Sequence, residues 1–238
     1  MSLMEHTTLY RKYRPSAFSD ILEQDHIIGV LAKSAKENKI AHAYLFSGSR
    51  GTGKTSVARI LAREIGTNPE DVYEIDAASN RGIDDIRELR EAVNVLPFSS
   101  TYKVYIIDEV HMLTKEAWAA LLKTVEEPPR HVVFILATTE LDKVPETIVS
   151  RCETYVFRKP NDAMLALEAT RIAKKEGYTF EKGAPDLIAL LGDGSFRDTM
   201  SILQKVLTYA SDKKIALSDV EEITGSPKES LIRGLITA

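Results

Sequence analysis

The residues best suited to do chemistry stand in a few short stretches. In "LFSGSRGTGKTSVARILA", Leu45 to Ala62, three glycines fall within six residues, a lysine and a threonine follow, and an apolar helical pattern begins at once. Glycine loses more backbone entropy on folding than any other residue, so this density marks a loop whose backbone does what other residues cannot. The pattern Gly48-x-x-x-x-Gly53-Lys54-Thr55, after a predicted strand and opening a predicted helix, is that of a phosphate-binding Walker A loop. The loop runs through Gly48, Ser49, Arg50, Gly51, Thr52, Gly53, Lys54, Thr55 and Ser56. The backbone N–H groups of Arg50 to Lys54 converge on a β-phosphate, and the helix N-terminus adds positive potential there. Lys54 reaches the β/γ oxygens of ATP, and the Thr55 hydroxyl offers a ligand to Mg²⁺.

A second stretch, "KVYIIDEVH" from Lys103 to His111, is an apolar run ending in two carboxylates. At the C-terminal end of a parallel strand these face the crevice where ligands bind. Asp108 fits the Walker B residue that holds Mg²⁺ through water, and Glu109 the base that orients the attacking water. "FILATTE", Phe134 to Glu140, is a third strand ending in hydroxyls; Thr139 or Thr138 is a candidate partner for that water or for the γ-phosphate. "SRC" places Arg151 in a loop, where by itself an arginine reads as a solvated charge. Arg197 stands at the second position of a helix capped by Ser195, and a cation there opposes the helix dipole by about 0.3–1 kcal/mol. A γ-phosphate would resolve that conflict, and so would Asp198 beside it.

These residues need elements to carry them. Strands are expected at Tyr44–Ser47, Val72–Ile75, Val104–Ile107, Val132–Ala137 and Thr154–Phe157, three of them nearly continuous apolar runs of the kind buried on both faces of a parallel sheet. Helices are expected from the glycine loop to about Ile65, over 84–93, and over 115–126, the last with Thr114 as N-cap and Pro128-Pro129 as stop. In that helix Trp118, Leu121, Leu122 and Val125 form one stripe. The alternation predicts an α/β nucleotide-binding domain over 4–160. From Asn161 only helices are expected, over 162–176, 184–191, 196–209, 218–223 and 228–238, with Ser195-x-x-Asp198 and Ser218-x-x-Glu221 as capping boxes. This makes a small helical lid domain over 161–226, and 227–238 reads as the start of a truncated C-terminal region of a longer protein. The leading "MSLM" reads as an expression scar before a native start at Met4.

The 238 residues, 44% hydrophobic and 28% charged, provide for a sizeable core and a second smaller domain. A net charge of −4 is not that of a dedicated nucleic-acid binder, although a local patch or a shared assembly can still meet DNA. One cysteine, Cys152, excludes a disulfide framework and a cysteine-based zinc site and fits a reducing cytoplasm. No run approaches a membrane span of about 20 residues.

Taken together the motifs resemble the AAA+ ATPases, and among them the clamp-loader motor subunits of the gamma/tau type in bacterial DNA polymerase III. The likeness is carried by "YRKYRPSAFSDILEQDHI" (Tyr10–Ile27), "HAYLFSGSRGTGKTSVARILA" (His42–Ala62), "EIDAASNRGIDDIRELRE" (Glu74–Glu91), "YKVYIIDEVHMLTKEAWAALLKTVEEPP" (Tyr102–Pro129), "FILATTELDKVPETIVSRC" (Phe134–Cys152) and "GDGSFRDTMSILQKV" (Gly192–Val206). The resemblance implies that Thr139 is sensor 1, that Arg151 is a finger reaching a neighbouring subunit's ATP, and that Arg197 is sensor 2 on the lid. It implies that Tyr10 to Ile27 closes over the adenine and that "AASNRG" (Ala77–Gly82) faces DNA. It further implies an ATPase, part of the polymerase holoenzyme but not itself the polymerase, whose partners are other clamp-loader subunits in a pentamer, the sliding clamp and primed DNA, with no membrane. On that reading this stretch alone binds ATP and hydrolyses it poorly.

Two departures stand out. The family usually inserts a four-cysteine zinc module after the Walker A helix; here "REIGTNPEDVYEID" has no cysteine, and no zinc is expected. The family's collar domain would follow Ala238. The alternatives are a replication factor C small-subunit type, another AAA+ motor such as a branch-migration helicase, and a non-catalytic stator like the delta prime subunit. Intact Lys54, Thr55, Asp108 and Glu109 weigh against the stator.

Overall fold

The computed structural model describes residues 7–210 and 212–227. In chain order the main elements are α1 (Leu9–Lys12), α2 (Asp25–Lys36), β1 (Ala43–Ser47), α3 (Lys54–Glu64), β2 (Val72–Asp76), α4 (Ile83–Ala92), β3 (Lys103–Asp108), α5 (Lys115–Glu126), β4 (Val132–Thr138), α6 (Glu146–Val149), β5 (Glu153–Val156), α7 (Asp162–Lys175), β6 (Thr179–Phe180), α8 (Ala184–Leu191), α9 (Phe196–Tyr209), β7 (Lys214–Ile215) and α10 (Leu217–Thr224). They fall into two compact units. One comprises Pro15–Ser49 and Gly53–Arg158; the other comprises Arg50–Thr52 with the described parts of Met1–Arg14 and Lys159–Ala238.

In the first unit five strands form one sheet in the order β2-β3-β4-β1-β5, every pair parallel. Successive residues of the central strands feed opposite cores. Leu45, Tyr105, Ile107, Phe134 and Leu136 pack on one face with Ile86, Trp118, Leu121 and Ile148 from α4, α5 and α6. Tyr44, Phe46, Ile106 and Ile135 pack on the other with Ile27 and Leu31 of α2 and Val57, Ile60 and Leu61 of α3. Burial on both faces is why β1, β3 and β4 read as unbroken apolar runs. Each fully buried Leu, Ile or Phe contributes about 1.5–3 kcal/mol. Helix α2 escaped the sequence reading: Gln24 makes no side-chain cap bond, and the pattern shows only in Ile27 and Leu31, both buried.

The caps largely follow the sequence. Thr114 Oγ1 accepts from Ala117 N at 3.2 Å, and Ser195 Oγ from Asp198 N at 3.2 Å. Ser218 is a correction. It lies inside α10, whose N-cap is Ala216, and the carboxylate that reaches back is Asp219, accepting from Ala216 N at 2.8 Å. An acid with the right reach sits two residues before the expected Glu221, so the N-cap falls two residues before Ser218.

The second unit is helical, with a core of Leu9, Ala169, Ile172, Ile188, Met200, Leu203 and Val206. The two-residue strands β6 and β7, which the sequence reading did not include, pair in parallel and bring Ile215 into that core. The short α1 belongs here: Leu9 N donates to Gln204 Oε1 at 3.0 Å, and Lys12 pairs with Glu176 at 2.7 Å. The helix expected over 228–238 and the start expected at Met4 lie outside the described residues. Among the described residues no helix is long and apolar enough to cross a membrane.

Candidate functional site

The glycine loop leaves β1 under two tethers. Phe157 N donates to Ser47 O at 2.7 Å, and Gly48 N to Thr138 O at 3.2 Å. Gly48 has φ +144°, and a Cβ there would lie 2.6 Å from Phe157 O, so only glycine fits. Gly53, at φ +105°, turns the chain into α3. Lys54 is the first helical residue and only 6% exposed. Its Nζ donates to Gly48 O at 2.6 Å and Ser49 O at 2.9 Å, so the ammonium is curled inside its own loop. Burial pulls this ammonium below the ordinary lysine value, against the opposing charges of Glu109 and Asp108.

Thr55 Oγ1 donates to Asp108 Oδ2 at 2.7 Å, which brings the hydroxyl of the glycine loop against the carboxylate that ends β3. The other carboxylate oxygen of Asp108 accepts from Glu109 N at 3.0 Å. Glu109 sits in the left-handed region at φ +48°, ψ +43°, a conformation that costs a non-glycine residue about 1–2 kcal/mol. Such strain collects where function fixes a side chain's direction. Here it turns the carboxylate toward the end of β4, where Thr139 Oγ1 donates to Glu109 Oε2 at 3.0 Å.

Of the two threonines left open by the sequence, Thr139 contacts Glu109, while Thr138 is fully buried and bonded to His111 Nδ1 at 3.0 Å. His111 was not singled out from sequence. Its side chain is 6% exposed, with Nδ1 3.5 Å from Glu109 Oε2 and Nε2 3.3 Å from Glu140 Oε1. A hydrogen bond from Lys143 holds the Glu140 carboxyl below its usual range. The signal for His111 lay in its place, two residues past the acidic pair on a one-turn 3₁₀ helix (Val110–Met112).

The structure therefore brings together Gly48, Ser49, Lys54, Thr55, Asp108, Glu109 and Thr139. Ser56 lies in the first turn of α3. Arg151 stands apart from this cluster: it pairs with Glu126 at 2.5 Å and donates to Thr147 O at 2.8 Å. Arg50, Gly51 and Thr52 group with the helical unit, where Phe196 N donates to Gly51 O at 3.1 Å and a Cβ on Gly51 would meet Ser195 Oγ at 2.0 Å. In that unit Arg197 lies over the Tyr10 ring, 5.1 Å from its centroid, rather than pairing with Asp198 in the way one reading allowed.

The donor set fits the groups that the loop implies. Thr55 and Asp108 present hard oxygens side by side, the ligand type Mg²⁺ takes. Among the described residues the Lys54 ammonium donates to carbonyl oxygens, so a phosphate would offer it a stronger, charged acceptor.

Comparison with known proteins shows what the chain is similar to. The family model described as "DNA polymerase III, delta subunit" matches residues 23–81 and 66–161. The chain is 42% identical to the DNA polymerase III subunit tau of Bacillus subtilis over 96% of its length and 44% of that protein's. It is 42% identical to subunit gamma/tau of Mycoplasma pneumoniae over 90% of its length and 34% of that protein's. The chain thus spans less than half the length of these curated relatives. Among solved structures, the Thermotoga maritima RuvB Holliday junction branch migration motor superposes with a TM-score of 0.74 at 20% identity, covering 92% of this chain and 76% of that one. At that identity the likeness is one of fold.

Proposed function

The chain belongs to the DNA polymerase III family of delta- and gamma/tau-type subunits, with the fold of AAA+ P-loop ATPases, and from that premise we propose that it is an ATP-driven clamp-loader subunit that opens a sliding clamp and loads it on primed DNA. The observation that carries this reading is the convergence of Lys54, Thr55, Asp108, Glu109 and Thr139 at the C-terminal ends of β1, β3 and β4.

The residues divide the work as follows. The N–H groups at the start of α3 and the loop residues Gly48, Ser49, Arg50, Gly51, Thr52, Gly53 and Ser56 hold the phosphates of ATP. Lys54 exchanges its carbonyl partners for phosphate oxygens. Mg²⁺, held by Thr55 and Asp108, supplies charge neutralisation when bound. Glu109 orients the attacking water and takes its proton, and Thr139 fixes the Glu109 carboxylate. Arg197 is sensor 2, carried by a lid domain over 161–226, while the nucleotide-binding domain covers 4–160. Arg151 serves the ATP of a neighbouring subunit, and a finger of this kind is worth about 10³–10⁵ in rate. The chain works with other clamp-loader subunits, the sliding clamp and primed DNA, in the cytoplasm.

The deciding experiment is ATP turnover by the full-length protein assembled with its partner subunits, with and without clamp and primed DNA. Stimulation by both together is expected. Nucleotide binding without any stimulation by clamp and DNA would point to another AAA+ motor, and no nucleotide binding at micromolar concentration to a stator.

A further inference from the structure

We propose that Glu126 is the positioning residue for Arg151, holding its guanidinium ready for the neighbouring subunit's nucleotide; the proposal rests on the reading of Arg151 as a finger that acts in trans. Arg151 is a long side chain on a short loop between α6 and β5, and it is half-exposed. Left to itself such a side chain samples many rotamers, and reaching one phosphate from all of them is slow and entropically costly. Here it is pinned from two elements. Glu126 Oε1 at the end of α5 accepts from one terminal nitrogen at 2.5 Å, and Thr147 O on α6 accepts from the other at 2.8 Å, with Ser150 Oγ at 3.3 Å. These contacts engage three of the five donors in the guanidinium's planar fork and leave two for a phosphate.

The anchor is rigid. Helix α5 is capped by Thr114 and seats Ala117, Leu121 and Val125 in the core with no exposure, so Glu126 projects from a fixed support. Its charge is otherwise misplaced. Glu126 and Glu127 stand at a helix C-terminus, where the dipole disfavours acids, and Arg151 is the cation that relieves Glu126. Both partners reach solvent, at 34% and 44% exposure, and exposed pairs add little to stability. The contact's value is therefore orientation. Helix α5 also begins seven residues past Asp108, the carboxylate that ends β3, so one element runs from the loop after Asp108 and Glu109 to the arginine that the subunit lends to its neighbour.

The test uses the full-length chain assembled with its partner subunits, sliding clamp and primed DNA. It compares Glu126→Gln, Glu126→Asp, Arg151→Ala and the double variant Glu126→Gln/Arg151→Ala. Expected for Glu126→Gln is a fall in kcat of about ten- to a hundredfold, with KM for ATP, nucleotide affinity and melting temperature unchanged. Glu126→Asp should recover much of the loss, and the double variant should match Arg151→Ala alone. Wild-type kcat in Glu126→Gln beside a large loss in Arg151→Ala would overturn the role of Glu126 and leave the finger standing. A double variant slower than Arg151→Ala would also overturn it, because Glu126 would then act through something else. Full turnover in Arg151→Ala would remove the finger and the positioning role together.

Discussion

Thr139 Oγ1 stands 3.0 Å from Glu109 Oε2, so the residue that follows β4 holds the carboxylate that follows β3. The bond fixes one oxygen of a side chain that its left-handed backbone already aims away from the strand. A carboxylate restrained in this way suits the water-orienting role proposed for Glu109, with metal ligation proposed instead for Asp108 and Thr55, whose oxygens lie 2.7 Å apart. Glu109→Gln is therefore expected to keep nucleotide affinity while lowering turnover of the assembled complex by about 10²–10⁴. Thr139→Ala should lower kcat by less, in the same direction. Loss of binding in Glu109→Gln would count against this division of roles.

Lys54 is buried, and among the described residues it donates to carbonyl oxygens of its own loop. Exchanging them for phosphate gains charge-assisted bonds worth about 1.5–3 kcal/mol. Lys54→Ala should weaken nucleotide binding by roughly ten- to a hundredfold in a fluorescent-nucleotide titration. Equal affinity in the variant would mean that the loop holds no phosphate.

His111 links the two strand-end loops by bonding Thr138 and lying near Glu109 and Glu140. Thr138 Oγ1 also accepts from Glu140 N at 3.0 Å, so removing His111 costs the hydroxyl one of these two bonds, about 0.5–1.5 kcal/mol. His111→Ala should lower the melting temperature and reduce kcat while leaving nucleotide affinity within a few-fold. If kcat held steady as stability dropped, His111 would be a packing residue alone.

Asp71 has no exposure and accepts from the backbone N–H groups of Phe98, Ser99 and Ser100 at 2.5, 2.9 and 2.9 Å. Burial pushes its carboxyl up, but these bonds outweigh burial and hold it below the ordinary aspartate value. A depressed native pKa stabilises the fold above the unfolded value of about 3.9 and loses that contribution as pH falls through the native one. Urea midpoints should therefore drop as pH is lowered beneath about 4. Asp71→Asn should start about 1–3 kcal/mol less stable and show a shallower decline across that range. An unchanged decline would assign the acid sensitivity to other carboxylates.

Burial raises the Cys152 thiol to about 12. Although it adjoins Arg151, it should be almost wholly protonated at pH 8 and resist alkylation until the chain unfolds. Equal rates of iodoacetamide labelling in native protein and in urea would show the thiol to be accessible in the fold.

Much of this was legible in the linear chain because it depends on local chemistry. The spacing Gly48 to Thr55 forces a loop that only glycines can make, and the apolar runs ending at Ser47, Asp108 and Thr138 mark strands buried on both faces. Thr114 and Ser195 announced their helices because a cap bond spans only three residues. What the chain could not declare was the order of the strands. In the sheet β4 lies between β1 and β3, and that insertion puts Thr138 and Thr139 between the glycine loop and the acidic pair. It is why Gly48 hangs from Thr138, why Glu109 meets Thr139, and why His111 has a place at all. The pairing of Arg151 with Glu126, 25 residues apart, was hidden for the same reason. Motifs record what a short segment must do by itself, whereas contacts between segments follow from the sheet topology that buries the most apolar surface, and this is decided only when the whole chain is packed.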